Sequence, residues 1–360
     1  MGLKIGIIGL PNVGKSTLFH ALTKQEVLIA NYPFATIDPN VGVVTVRDER
    51  LLKLARFSHS KKVIPAAIEF VDIAGLVGGA SEGAGLGNAF LSHIREVDAL
   101  CQVVRVFQNS DIIHVAETPD ALRDFEIINL ELVLKDLETT MKLQEKIGSE
   151  ARSGDKKKIE ESEDLKRIKH ILEAGRLLSQ ANLSDAEGKI AGTYNLLTIK
   201  PMLVIFNISD KEVSEIWQPG EDLMKRLGDI PYLSIPIGIE SEAATMEEVQ
   251  ANEFRSLVGI SSSSLDLVTR AAYGRLGLIT FFTTGEDETR AWTIEKDAKA
   301  PRAGRAIHSD FEDKFIRAEV IPWDALLRSG SWAGAKEHGR IRIEGKEYTV
   351  KDGDVIEFRI

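Results

Sequence analysis

The sequence predicts an α/β protein: a P-loop nucleotide-binding domain interrupted by an antiparallel helical hairpin and followed by a small α+β unit. Three observations predict this. Gly9-Leu10-Pro11-Asn12-Val13-Gly14-Lys15-Ser16-Thr17 fits G-x-x-x-x-G-K-[ST] without a mismatch, between an apolar strand-like run at 3–8 and a helix-like run at 18–22. Residues 119–146 carry a helical pattern, broken by charge, glycine and serine at 148–158 and then resumed. From about residue 278 short strand-like runs follow one another closely. The implied boundaries are 1–118 with 200–277 for the P-loop domain, 119–199 for the hairpin and 278–360 for the C-terminal unit.

The loop at 9–17 comes first because its chemistry dictates its spacing. Gly9 and Gly14 let the backbone curl close to a polyphosphate, which the N–H groups of residues 12–17 and the helix N-terminus attract. Lys15 reaches the β- and γ-phosphates, and Ser16 offers an oxygen to Mg²⁺.

Composition narrows the class. Of 360 residues, 43% are hydrophobic and 28% charged, as in ordinary globular chains. Acids number 55 against 45 bases, so the net charge is −10 and any nucleic-acid contact must be local. The single cysteine, Cys101, excludes a disulfide within the chain and lies in an apolar run, which reads as a buried thiol in a reducing, cytoplasmic setting. The first residues lead directly into a strand pattern rather than a signal peptide, Gly2 lacks the Ser/Thr of a myristoylation site, and no apolar span approaches membrane length.

Residues 31–42 are rich in turn formers and precede the β-type run 41–46, where P-loop switches place their first mobile segment. There Thr36 adds a hydroxyl for Mg²⁺. The strand-like run 67–71 ends in Asp72-Ile73-Ala74-Gly75, suited to a second metal oxygen from Asp72 and a γ-phosphate contact from the Gly75 N–H. Six glycines between residues 75 and 87 make a second switch. Leu76 stands where small GTPases carry the glutamine that orients water. Two histidines are candidates to replace it, His93 and His114, and His114 is favoured because it follows the strand-like run 99–107 and a polar turn.

The strand-like run 201–206 leads to Asn207-Ile208-Ser209-Asp210, which resembles the N-K-x-D base-reading loop with Ile208 in place of lysine. The four residues suit either adenine or guanine. In the hairpin, Ile127, Leu130, Leu134, Leu137 and Met141 recur at three and four, as do Leu165, Ile168 and Leu172. Lys156, Lys157, Lys158, Lys166, Arg167 and Lys169 near its tip are interleaved with acids and read as a solvated face. The C-terminal unit predicts strands at 279–282, 291–294, 340–343, 347–350 and 355–360, a helix at 303–311, and a basic cluster of Arg302, Arg305, Lys314 and Arg317 beside Phe311 and Phe315.

Together these residues resemble the YchF / Obg-like ATPase family of translation-factor-related P-loop proteins. The resemblance runs nearly end to end, through the loop at 9–17, N-Y-P-F-A-T-I-D-P-N-V-G at 31–42, D-I-A-G-L-V at 72–77, the run 83–99, and C-terminal motifs at 291–293, 307–311, 315–319 and 352–356. It implies a G domain with the inserted hairpin, a β-grasp-like TGS domain, hydrolysis of ATP in preference to GTP, and ribosome association. It further implies His114 as the hydrolytic histidine and, through Asn12, K⁺ as a possible activator beside Mg²⁺. Two positions depart from the family pattern: Asp210 replaces its glutamate, and Pro236-Ile237-Gly238 replaces its S-A-K-like segment.

Two functional classes follow. One is a slow nucleoside triphosphatase switch with Lys15 and His114 catalytic, Asn12 to Thr17, Gly75, Asn207 and Ile208 on the nucleotide, and Ser16, Thr36 and Asp72 on the metal. The other, suggested by Leu76, is a ribosome- or RNA-binding scaffold that holds nucleotide without hydrolysing it.

Overall fold

A computed structural model describes residues 3–24, 40–73, 88–109, 118–152, 154–215 and 217–360. Thr36, Gly75, Leu76 and His114, and most of both expected switch segments, lie outside the described residues.

Among the described residues, two six-stranded sheets organise the fold. The first contains β1 (Lys4–Ile8), β2 (Val41–Val46), β4 (Ala66–Asp72), β5 (Ala99–Arg105), β6 (Met202–Asn207) and β7 (Tyr232–Ile235), in the order β2-β4-β1-β5-β6-β7. Strand β2 is antiparallel to β4, and the other pairings are parallel. The interior strands β5 and β6 are buried at every position, which is why they read as unbroken apolar runs while β2 alternates. Parallel pairing sends the chain out at the same edge after β1, β4, β5, β6 and β7, so residues far apart in sequence converge there.

Helices α1 (Lys15–Lys24) and α3 (Asn88–Arg95) belong to this layer, whereas α2 (Glu49–Phe57) packs against the second sheet. The hairpin is α4 (Ala121–Ala151) and α5 (Lys156–Glu173), with Asp120 and Asp155 capping their first turns through Arg123 N and Lys157 N. The apolar row that signals α4 in the sequence does not face α5. Ile127, Leu130, Leu134 and Met141 are exposed, and the buried side of α4 is Phe125, Ile128, Leu132 and Ile147 with Asp124, Asn129, Asp136 and Thr140. Four of the six tip cations are paired, Lys158 with Glu150 and Glu161, Lys166 with Glu163, Arg167 with Asp164 and Glu187, and Lys169 with Glu173, and Lys156 and Lys157 are exposed.

The second sheet comprises β3 (Lys62–Ile64), β8 (Leu278–Thr284), β9 (Glu288–Glu295), β10 (Arg317–Pro322), β11 (Arg342–Glu344) and β12 (Asp354–Arg359), ordered β11-β10-β12-β8-β9-β3. Its edge strand β3 comes from the segment joining α2 to β4 and pairs parallel to β9, Lys62 opposite Glu288 and Ile64 opposite Arg290. The C-terminal sheet is therefore completed by the N-terminal part of the chain. Three local expectations are corrected. Residues 347–350 form an isolated bridge at Thr349 rather than a strand, β10 was not expected, and the helix expected at 303–311 is two short ones, Ala300–Arg305 and Ser309–Asp313. Gly304 packs against Phe311 where the helix breaks. The basic cluster is partly neutralised, Arg305 by Glu312 and Lys314 by Asp310, and Phe315 is buried.

Candidate functional site

The loop between β1 and α1 takes a shape few residues allow. Gly9 has φ +149°, and a Cβ there would lie 2.4 Å from the Val103 carbonyl oxygen of β5. Gly14 has φ +102°, and its Cβ would lie 2.6 Å from Asn207 Nδ2. Asn12 between them is left-handed at φ +60°, which asparagine tolerates. The motif glycines are thus fixed by the sheet beneath the loop as well as by its curvature.

Val13 is buried beneath the loop, while Ser16 and Thr17 are exposed on the first turn of α1. Lys15 is buried, and its ammonium donates to the Leu10 carbonyl across the loop. Burial pushes its pKa down to about 8, against the opposing pull of the Asp72 carboxylate. Asp72 is buried at the end of β4 opposite Ile7, with its N–H bonded to the Asn40 carbonyl at 2.9 Å. A cation and a carboxylate are therefore coupled beside a helix N-terminus, an arrangement that attracts a polyphosphate. The hydroxyl of Ser16 and the carboxylate of Asp72 are hard oxygen donors of the type Mg²⁺ prefers. Among the described residues no group of three or more His, Cys, Asp and Glu is placed to hold a metal ion.

Asn207, at the end of β6, is 6% exposed and turns towards the loop. Its Nδ2 donates to the Val13 carbonyl at 2.9 Å, and its Oδ1 accepts from Ile237 N–H at 3.3 Å. The sequence reading assigned it to the base; the geometry also makes it a strut between the phosphate loop and the segment after β7. Ile208 is buried, its N–H bonded to the Ile235 carbonyl at 3.0 Å, and Asp210 is exposed at the start of the helix Asp210–Glu215.

One organising residue was missed. Arg105 ends β5, is 1% exposed, and donates from Nε to the Phe107 carbonyl at 3.0 Å while lying 4.8 Å from the Phe107 ring centroid. It fixes the start of the stretch that runs on towards His114. Its signal was available: a lone arginine closing the otherwise uncharged strand Ala99–Arg105. His93 sits on α3 with Nδ1 3.9 Å from Glu96.

Phosphate loop, buried lysine, strand-end aspartate and parallel sheet together define a P-loop nucleoside triphosphatase domain. Residues 4–136 match the family model described as 50S ribosome-binding GTPase, and residues 278–360 match YchF-GTPase_C, described as a protein of unknown function. Along its whole length the chain is 47% identical to "Ribosome-binding ATPase YchF" of Bacillus subtilis, covering 99% of that protein. It is 43% identical to the protein of the same name in Escherichia coli O157:H7, over 99% of each chain. The solved structure titled "Structure of the Schizosaccharomyces pombe YchF GTPase" superposes with a TM-score of 0.92 at 36% identity, over 99% of this chain and 98% of that one. The chain belongs to the YchF family.

Proposed function

We propose that this chain is a Mg²⁺-dependent ATPase that acts as a nucleotide-controlled switch on the ribosome in the cytoplasm. The single observation carrying this reading is the phosphate loop itself, with Lys15 drawn under it and coupled to Asp72. The names of the bacterial relatives support ATP and the ribosome. In this reading Asn12 to Thr17 and Gly75 hold the phosphates, Asn207 and Ile208 lie at the base, and Ser16, Thr36 and Asp72 hold the metal. Bound Mg²⁺ would neutralise charge on the β- and γ-oxygens. Lys15 stabilises charge on the transferring group, His114 positions water, and Asn12 offers an oxygen to an activating K⁺. With Leu76 in the glutamine position, unaided turnover is expected near that of an unassisted small GTPase, ~10⁻⁴ s⁻¹.

GTP is the second reading, favoured by the exposed Asp210, which keeps the carboxylate of guanine-reading loops. Equilibrium titration with labelled ATP and GTP in Mg²⁺, followed by phosphate release with and without K⁺ and ribosomes, separates the readings. Tighter ATP binding, lost in Lys15→Ala, and hydrolysis lost in His114→Ala are expected. Retention of neither nucleotide would overturn the proposal, and binding without turnover under every condition would favour the scaffold.

A further inference from the structure

The segment that follows β7 holds a buried carboxylate outside the phosphate loop. Glu240 lies on the seven-residue helix Ile237–Ala243 and is 0% exposed. One of its oxygens accepts the Ser264 N–H at 2.7 Å, and the other accepts Nε and Nη2 of Arg255, each at 3.1 Å. Arg255 is itself buried, on the helix Glu248–Leu257, and donates from Nη1 to Asn252 Oδ1 at 3.3 Å. Ser264 opens the helix Ser264–Arg275, which packs against β2, β6 and β8. Three helices are therefore joined at one side chain.

A buried ion pair is a weak source of stability, because removing two charges from water offsets much of their attraction; what it can add is a defined geometry. The helix Ile237–Ala243 needs one. At about two turns it is too short to hold its own position, and Pro236 at its start gives it no side-chain cap. Its first residue is the one that meets the site. The Ile237 N–H donates to Asn207 Oδ1 at 3.3 Å, and Ile237 Cδ1 lies 3.6 Å from where a Cβ on Gly14 would stand. Glu240 follows three residues later with its N–H on the Pro236 carbonyl at 3.1 Å, so whatever holds Glu240 also holds Ile237. The Ile237 N–H in turn fixes which way the Asn207 amide faces, since it accepts only an oxygen as partner. Beside it Gly238 is exposed, and a Cβ there would meet nothing within 4 Å among the described residues, which leaves room for a ligand next to Asn207 and Ile237.

We propose that Glu240, held by Arg255 and Ser264, is a positioning residue for the base end of the nucleotide site. It acts through Ile237 on the Asn207 amide, and so rests on the reading that Asn207 and Ile208 lie at the base. The phosphate end depends on it less, because the 2.9 Å bond from Asn207 Nδ2 to the Val13 carbonyl does not pass through Ile237.

The test titrates the full chain with Mg²⁺-ATP, Mg²⁺-GTP and Mg²⁺-tripolyphosphate, the last offering phosphates without a base. Two variants are compared with the wild type. Glu240→Gln keeps an acceptor for the Ser264 N–H but loses the charge, and Glu240→Leu/Arg255→Met replaces both charges by apolar side chains, a change that keeps buried pairs folded. The nucleotide that the wild type holds more tightly should bind about threefold more weakly to Glu240→Gln and about tenfold more weakly to the apolar pair. Tripolyphosphate should bind both within about twofold of wild type, a contrast that a loss of general stability would not produce. Circular dichroism melting checks that each variant is folded at the titration temperature. Wild-type nucleotide affinity in the folded apolar pair overturns the proposal. So does an equal loss for nucleotide and tripolyphosphate, which would make the ion pair a support of the whole fold. A wild type that bound tripolyphosphate but neither nucleotide would instead overturn the base reading itself, and this inference with it.

Discussion

Arg50 and Asp352, 302 positions apart, meet through two contacts, Nη1 to Oδ2 at 2.5 Å and Nη2 to Oδ1 at 3.3 Å. Arg50 is steadied from behind by Asp48, the cap of α2, and Asp352 Oδ1 also accepts the Thr280 N–H of β8 at 2.9 Å. Beside this pair Ser60 donates to the Gly285 carbonyl at 2.7 Å, and β3 joins β9. The segment that grips the C-terminal sheet thus lies between β2 and β4, the strands adjoining the two expected switch segments. Arg50→Ala should lower stability by about 1 kcal/mol, modest because Asp352 is half exposed, and Arg50→Lys should recover little because an ammonium cannot make the paired contact. Urea unfolding of the three proteins checks this, and an Arg50→Ala midpoint equal to wild type would remove the pair from the interface energetics.

Asn207 is buried with both ends of its amide engaged, so its loss should be felt twice. Asn207→Ala leaves the Val13 carbonyl and the Ile237 N–H without that partner, at about 2 kcal/mol of stability and about tenfold or more in nucleotide affinity. Asn207→Asp keeps the acceptor for Ile237 but turns an oxygen towards the Val13 carbonyl, and should bind nucleotide no better than alanine. Titration with Mg²⁺-ATP together with thermal melting measures both effects. Wild-type affinity in Asn207→Ala would show that the loop holds its shape without the strut.

The elements that could be read from sequence were those in which one local signal sufficed. Strands β1, β5 and β6 are buried on both faces and so appear as plain apolar runs, and the phosphate loop is a contiguous motif. What escaped depends on partners distant in the chain. Strand β3 is three residues long and has meaning only against β9. Strand β10 begins with Arg317 and ends with Pro322, and its alternation is weak until β11 and β12 flank it. In α4 the apolar period identified the helix but not its buried side, because the side facing the protein also holds Asp124, Asn129, Asp136 and Thr140. At the site the same division holds. The residues of the loop were found by pattern, while the bond from Asn207 to Val13 and the grip of Arg105 on the Phe107 carbonyl arise from strands brought together by the sheet.

Cys101 is fully buried between Ile7 and Leu203 on the neighbouring strands, and burial pushes its thiol up to about 12. From the ordinary thiol value of 9.0 up to about 12, the folded state keeps a proton that the unfolded state has lost, so the folded state is favoured less as pH rises. Below that window the thiol contributes no pH dependence. Between pH ~8 and ~10 the wild type should therefore lose about 1.4 kcal/mol more stability than Cys101→Ala. Parallel urea curves at the two pH values decide it, and equal losses in both proteins would place the thiol in contact with water. Alkylation of the native wild type should likewise proceed only as fast as the protein opens.

Asp136 is the most heavily used carboxylate of the hairpin. Fully buried in the middle of α4, it accepts the Leu197 N–H at 2.8 Å on one oxygen, and on the other the Thr198 N–H at 2.8 Å and hydroxyl at 2.7 Å. These bonds tie the hairpin to the chain as it re-enters the first sheet, just before β6 carries it to Asn207. Asp136→Ala would leave three buried donors without their acceptor and should cost about 3–5 kcal/mol. Asp136→Asn keeps one acceptor oxygen but sets an NH₂ against a backbone N–H, so it should fall between alanine and wild type. Because β6 positions Asn207, the damage should reach the phosphate loop: at a temperature where both variants remain folded, nucleotide affinity should decline in the order wild type, Asn, Ala. Unfolding curves and ATP titrations on the same samples test the two halves separately. A large loss of stability with unchanged affinity would show that the anchor steadies the hairpin alone and that the strand holds Asn207 without it.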